Sequence, residues 1–92
     1  MARQFPAPLV QAPRPRPILP GRFWAVPDGL RGWFVKTPDG TAGHAFPKVV
    51  GDPDGEWFGR RTGASAQRRD DDVSALAHVV GCDPGDIRFE AA

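Results

Sequence analysis

A short turn sequence, Pro-Asp-Gly, recurs in the middle of the chain at Pro27–Gly29, Pro38–Gly40 and Pro53–Gly55. Proline fixes the backbone angle that the second position of a turn requires, aspartate bonds nearby backbone, and glycine adopts positive φ without steric cost. Short aromatic and β-branched runs that are separated by such turns predict antiparallel strands connected as a meander. This pattern therefore constrains the architecture strongly, although it says little about chemistry.

The runs between the turns give the expected strands. They lie at Gly21–Val26, Leu30–Thr37, Thr41–Phe46 and Glu56–Arg60, with short additions at Lys48–Val50 and Ile87–Glu90. Because side chains alternate along a strand, Trp33 and Val35 share one face while Phe34 and Lys36 share the other. Neither face is cleanly apolar, so the sequence does not decide which face packs inward.

One helix is predicted over about residues 71–80. The three acids Asp70–Asp72 supply an N-cap and a negative first turn, and Gly81 supplies a left-handed C-cap. Between them an apolar stripe has the i, i+3, i+4, i+7 spacing of a core-facing helix. The stripe consists of Val73, Leu76, Ala77 and Val80. The predicted fold class is therefore α+β and β-dominated: a small antiparallel strand meander with one helix near the C-terminus.

The aromatic residues of the strands and the helix stripe are expected to meet in one core. The residues placed at its centre are Trp24, Trp33, Phe34, Trp57, Leu76 and Val80. A chain of 92 residues forms one domain at most. Residues 22–92 are assigned to this single small domain.

Residues 1–21 are predicted to form an extended arm, because their regularly spaced prolines remove amide donors and disfavour helix and sheet. The arm nevertheless carries large apolar residues and arginines that a solvating linker does not need. The expected partner contacts are Phe5, Leu9, Arg14, Arg16, Ile18 and Leu19. The first functional hypothesis is a small non-catalytic interaction or assembly module. Such a module, an accessory structural subunit or an inhibitor, would dock through its arm onto another protein or onto copies of itself.

Nucleic-acid binding is the alternative hypothesis. The net charge is only +1, but arginines are concentrated in the arm and between residues 60 and 69. The expected phosphate contacts of that second stretch are Arg60, Arg61, Arg68 and Arg69. Exposed aromatic side chains on a sheet can stack on bases.

A small ribonuclease-like enzyme is the second alternative. Histidines can act as general acid and base while cations stabilise the transition state of phosphodiester cleavage, and His44, Lys48 and His78 are the candidates. The stretch from His44 to Arg61, less than a quarter of the chain, resembles bacterial toxin ribonuclease domains. Among these hypotheses, the non-catalytic ones are favoured because no phosphate loop, nucleophile elbow or paired-carboxylate pattern is present.

No metal, cofactor or small-molecule substrate is expected. His44, His78, Cys82 and Asp83 contain zinc-ligand types, but Gly81 ends the predicted helix before Cys82 and separates that residue from His78. The single cysteine excludes an internal disulfide and favours a reducing compartment. The composition, rich in Arg, Ala, Gly and Pro, suggests a bacterial or phage origin. The sequence contains no long apolar run, so no membrane span is predicted. The expected location is the cytoplasm or a phage particle.

Overall fold

Strands dominate the computed structural model, which describes residues 16–90. The seven strands are β1 (Arg16–Ile18), β2 (Trp24–Pro27), β3 (Trp33–Thr37), β4 (Gly40–Pro47), β5 (Trp57–Arg61), β6 (Gln67–Arg69) and β7 (Arg88–Glu90). One α-helix, α1 (Asp72–Val80), follows β6, and a 3₁₀ turn at Pro84–Asp86 precedes β7. The predicted fold class, a β-dominated antiparallel meander with one helix near the C-terminus, is confirmed for this part of the chain.

Strands β2 to β6 form a five-stranded antiparallel sheet in sequence order, and β1 pairs separately with β7. The predicted turns connect the strands. In the first, Asp28 Oδ1 accepts the amides of Leu30 and Gly32, at 2.7 and 2.9 Å. Between β3 and β4, the Thr37 hydroxyl takes the same role by accepting the amide of Asp39 at 3.2 Å.

Helix α1 begins and ends as its sequence predicts. Asp71 is the N-cap, with a side chain that accepts the amide of Ser74, and Gly81 adopts the left-handed conformation with φ 88°. The helix covers the face of the sheet that carries Trp33, Val35 and Trp57, all of which are buried. Leu76 is fully buried between helix and sheet. We refer to this covered side as the inner face and to the opposite side as the open face.

Two of the residues predicted at the centre of the core are not there. Trp24 remains 47% exposed and Phe34 36% exposed, because both alternate onto the open face of the sheet. Trp33, Trp57 and Leu76 are buried as predicted, and Val80 packs partly against the same cluster.

Two strands lie where none was predicted, and one predicted strand is absent. Residues 16–18, assigned above to the arm, pair with β7, and Leu19 is buried in the domain core. Pro17 can occupy this strand because a two-stranded pair leaves one edge without partners. Strand β6 lies inside the arginine-rich segment that was expected to be a loop, whereas Lys48–Val50 forms bends and a turn instead of a strand.

Close approach between α1 and β5 depends on Gly59. A Cβ atom at this position would lie 2.6 Å from the Ala75 carbonyl oxygen, inside the contact distance of backbone atoms. We therefore expect Gly59→Ala to lower the free energy of unfolding by about 1–3 kcal/mol, the usual cost of overpacking. Gly85→Ala is the matched control, because a Cβ there meets no atom within 4 Å. Chemical denaturation of both variants measures the difference in stability. Equal stabilities would show that α1 does not pack closely against β5 at Gly59.

Candidate nucleic-acid interface

The open face of the five-stranded sheet is aromatic and basic. Alternation and register place ten strand positions on it: Trp24, Val26, Phe34, Lys36, Thr41, His44, Phe46, Phe58, Arg60 and Arg68. None of these strand positions carries an acidic side chain. Since an uncovered sheet face is usually polar and mixed in charge, this composition makes the open face a candidate binding surface.

A continuous row of rings crosses the middle of this face. The ring of His44 stacks on Phe34 with centroids 4.5 Å apart, and its other neighbour, Phe46, lies 4.7 Å away. Phe58 extends the row from Phe46 at 5.7 Å. The row, defined here as Phe34, His44, Phe46 and Phe58, therefore spans strands β3, β4 and β5. Offset rings at these distances hold one another in place, so the platform is preformed.

Cations surround the aromatic row. The Lys36 ammonium lies 5.5 Å from the centroid of the Phe34 ring, within cation–π range. Arg60 is paired in register with His44, and Arg68 with Phe58. Arg68 also contacts the Glu56 carboxylate at 3.1 Å, an exposed ion pair that solvent screens strongly. Within residues 16–90, Arg60 forms no ion pair.

A buried carboxylate anchors the row from one side. His44 Nε2 lies 2.6 Å from Asp28 Oδ2, and the Asp28 side chain is only 3% exposed. Burial alone would raise the pKa of Asp28, but the hydrogen bonds from His44 and from the Leu30 and Gly32 amides outweigh it and lower that pKa. A carboxylate that orients an imidazole can support general-base chemistry. Here the same contact fixes the His44 ring between Phe34 and Phe46.

We expect Asp28→Asn to destabilise the fold by about 1–2 kcal/mol near neutral pH, because the variant loses a charged, buried hydrogen-bond acceptor. Since the folded-state pKa of Asp28 lies below its ordinary value of 3.8, its contribution is present above that value. The contribution is lost as the pH falls through the lowered folded-state pKa. Urea unfolding from neutral pH down to about pH 2 should therefore show a shallower acid dependence in the variant than in the parent protein.

The exposed turn residue Asp39 provides the control for this experiment. Its amide binds Thr37 Oγ1, and its side chain makes no hydrogen bond or ion pair within residues 16–90. Asp39→Asn should leave both the stability and its acid dependence close to those of the parent. If the two variants behave alike, Asp28 does not anchor His44.

The four arginines that the sequence grouped as one basic stretch lie on two different faces. Arg60 and Arg68 are on the open face, whereas Arg61 and Arg69 project on the inner face beside α1. Adjacent residues of a strand point to opposite sides of the sheet, so β5 and β6 divide the cluster between them. A single surface formed by all four is therefore excluded.

The predicted arm contacts divide between described and undescribed residues. Phe5, Leu9 and Arg14 lie outside residues 16–90. Arg16 forms an exposed ion pair with Glu90 at 2.6 Å in the β1–β7 pair, and Ile18 is 50% exposed. Leu19 is a core residue of the domain, so it is not available as an anchor for a partner.

The residues of the ribonuclease hypothesis are not brought together. His44 is on the open face and His78 is on α1 against the inner face, close to Gly59. Lys48 lies 3.4 Å from the Glu56 carboxylate. Among residues 16–90, no group of three or more histidine, cysteine or acidic side chains is placed to hold a metal ion. Within the same residues, no helix has both the length and the apolar character needed to cross a membrane.

Sequence reasoning identified the exposed aromatics as a class but not the row they form. A usable signal was present, since Gly43, Ala45 and Gly59 alternate with His44, Phe46 and Phe58. Small residues mark the face on which a helix can approach the backbone closely. The large aromatic residues between them consequently belong to the other face.

Comparison of the chain with protein-family models found no match, and comparisons with curated proteins and with solved structures found no significant similarity.

Proposed function

We propose that the protein binds single-stranded nucleic acid on the open face of its sheet. The observation that carries this proposal is the row of Phe34, His44, Phe46 and Phe58, with adjacent centroids 4.5 to 5.7 Å apart, on a face that also carries Lys36, Arg60 and Arg68. Unstacked bases bind to such rings through their π-faces, and the cations contact the phosphates. Function of this kind requires no catalysis.

The charge distribution favours a polyanion over a protein as the occupant. The fully buried centre of a protein–protein interface is depleted of charged residues. On this face, by contrast, Arg60 lies directly opposite His44 and Lys36 lies over Phe34, so that cations alternate with rings. Two acids of the helix start, Asp71 and Asp72, lie in the other layer, where they accept hydrogen bonds from the amides of Ser74 and Val73.

The exposure of the rings also favours single strands over duplexes as the ligand. Phe34 is 36% exposed on this face of the sheet, where a splayed base can stack on it. Bases in a duplex already stack on one another and present only their edges and backbone. The stacking contribution is therefore available only to unpaired bases.

The two arginine pairs provide a matched test. Fluorescence anisotropy should show that the intact chain binds short single-stranded RNA or DNA more tightly than the corresponding duplex. Three phosphate contacts on a single strand predict a log–log salt slope of about −2. Arg60→Gln with Arg68→Gln should reduce that slope to about −0.7 and weaken binding. Arg61→Gln with Arg69→Gln, which changes the same net charge on the inner face, should leave the slope near −2 for oligonucleotides without a terminal phosphate.

Three results would contradict the proposal. They are the absence of binding by the intact chain, tighter binding of the duplex, and equal losses from the two arginine pairs. Equal losses would show that net charge, and not the open face, determines the affinity. Circular dichroism of each variant ensures that only folded proteins are compared.

Protein docking through the arm is a separate proposal. It is independent of nucleic-acid binding on the open face. Its contacts Phe5, Leu9 and Arg14 precede the described residues. Because β1 and Leu19 belong to the domain, a truncation that tests the arm should remove residues 1–15 only. Retained partner capture by that truncated protein would refute the docking hypothesis.

A further inference from the structure

A second concave surface lies on the opposite side of the sheet from the aromatic row. It is a cleft of about 440 Å³ between α1 and the ends of β5 and β6. Its polar lining consists of Arg61, Arg69, Ser74 and His78, and Ala77, Gly81, Cys82 and Pro84 complete its wall. None of these lining residues is acidic. The volume is within the range of small-molecule sites, so the cleft has room for more than a bare ion.

Two guanidinium groups converge on His78 in this cleft. Arg61 Nε donates to the backbone oxygen of His78 at 3.0 Å, and Arg69 Nη2 contacts His78 Nδ1 at the same distance. A guanidinium cannot accept a hydrogen bond, so Nδ1 is the acceptor and the ring proton is assigned to Nε2. These bonds hold both arginines in place and leave further N–H donors on each of them.

Among the described residues, no carboxylate serves as a counter-ion to either guanidinium. Within residues 16–90, Arg61 and Arg69 form no ion pair with a carboxylate. Burial, followed by the positive charges of Arg69 and Arg61, lowers the pKa of His78. Burial and the nearby Asp86 and Asp83 raise the pKa of the Cys82 thiol, so this group adds no negative charge at neutral pH.

From this arrangement we infer that the cleft binds the phosphate group of a small organic phosphate, with Arg61 and Arg69 as its ligands. Arginine pairs bind phosphate oxygens with several parallel, charge-assisted hydrogen bonds. The Ala77 and Pro84 side of the cleft provides an apolar wall for the organic part of the ligand. The same phosphate group could belong to a free monoester or to the terminus of a nucleic acid strand. The inference does not depend on nucleic-acid binding by the open face.

Calorimetric titration of the full chain tests the site with inorganic phosphate, adenosine 5′-monophosphate and adenosine as probes. The monophosphate should bind more tightly than adenosine, because adenosine lacks the phosphate group. Arg61→Gln with Arg69→Gln should weaken monophosphate binding roughly tenfold or more, since charge-assisted hydrogen bonds are lost. Arg60→Gln with Arg68→Gln should leave it unchanged. Binding of neither phosphate probe, or equal binding of adenosine, would overturn the inference.

Titration of the His78 ring by NMR gives a second measurement that needs no variant. A bound phosphate neutralises the two arginines, so the pKa of His78 should rise when saturating inorganic phosphate or monophosphate is present. An unchanged titration would overturn the site even if some anion binds elsewhere.

Two single strands of the same sequence, one with a 5′-phosphate and one with a 5′-hydroxyl, identify the source of the phosphate. If a 5′-phosphorylated strand binds more tightly than its 5′-hydroxyl form, and Arg61→Gln with Arg69→Gln removes the difference, the ligand is a strand terminus. If the two strands bind alike while the monophosphate binds, the ligand is a free monoester. The Arg60 and Arg68 double variant tests only nucleic-acid binding on the open face. Either proposal can therefore be refuted while the other one stands.

Discussion

Leu76→Ala should cost about 2–5 kcal/mol of the free energy of unfolding, enough to leave a domain of this size largely unfolded at ambient temperature. Leu76 is fully buried between α1 and the sheet, where it belongs to the same cluster as Val35 and Trp57. Truncation leaves a cavity that a fixed sheet and a capped helix cannot close. Chemical denaturation followed by circular dichroism measures the loss directly.

Leu30→Ala is the matched control for this experiment, because it removes the same atoms from a side chain that is 56% exposed. It should change the stability by less than about 0.5 kcal/mol, as is usual for surface substitutions. A Leu76→Ala protein that is as stable as the Leu30→Ala protein would show that the helix does not complete the core.

The largest expected effect on binding comes from Phe34→Ala combined with Phe58→Ala. These rings are at the two ends of the aromatic row, and each can stack on one base. Alanine substitution of a stacking ring costs about 1–3 kcal/mol per base, which is roughly 5- to 150-fold in affinity for each ring. The salt slope should remain near that of the parent, because no cation is removed.

A control for the aromatic pair is Val50→Ala, which removes exposed apolar surface from the β4–β5 connection, outside the row. Its affinity for the single strand should equal that of the parent. If the Phe34 and Phe58 double variant remains folded and binds as tightly as Val50→Ala, base stacking does not contribute to binding.

The sequence predicted the helix and the turns well because their determinants are local. The Asp71 N-cap and the left-handed Gly81 act within one helical turn, and Asp28 binds amides two and four residues further along the chain. Interactions over such short separations need no knowledge of the tertiary fold.

The strands that were missed depend on tertiary pairing. Arg16–Ile18 contains a proline and forms a strand only because β7 returns beside it. Gln67–Arg69 is polar and short, and it becomes a strand by pairing with β5 at the edge of the sheet. Neither segment has the alternating apolar pattern by which a strand is recognised in a sequence.

The composition of the open face also depends on tertiary structure. Trp24 and Phe34 resemble core residues in composition, and only the position of α1 determines that they lie outside. The division of Arg60 from Arg61 follows from alternation, but it requires that β5 extend through both residues. The sequence therefore supplied the residue types of the candidate site, and the sheet register supplied their arrangement.

We propose that the bases of single-stranded nucleic acid stack on the open face and not on the inner face. The most direct measurement is a titration of labelled protein with a short single-stranded oligonucleotide, followed through the side-chain ring signals in NMR spectra. Stacked bases should shift the rings of Phe34, Phe46 and Phe58, whereas the ring of Trp57, fully buried on the inner face, should not move. Saturable binding that leaves the three phenylalanine rings unshifted would contradict the account.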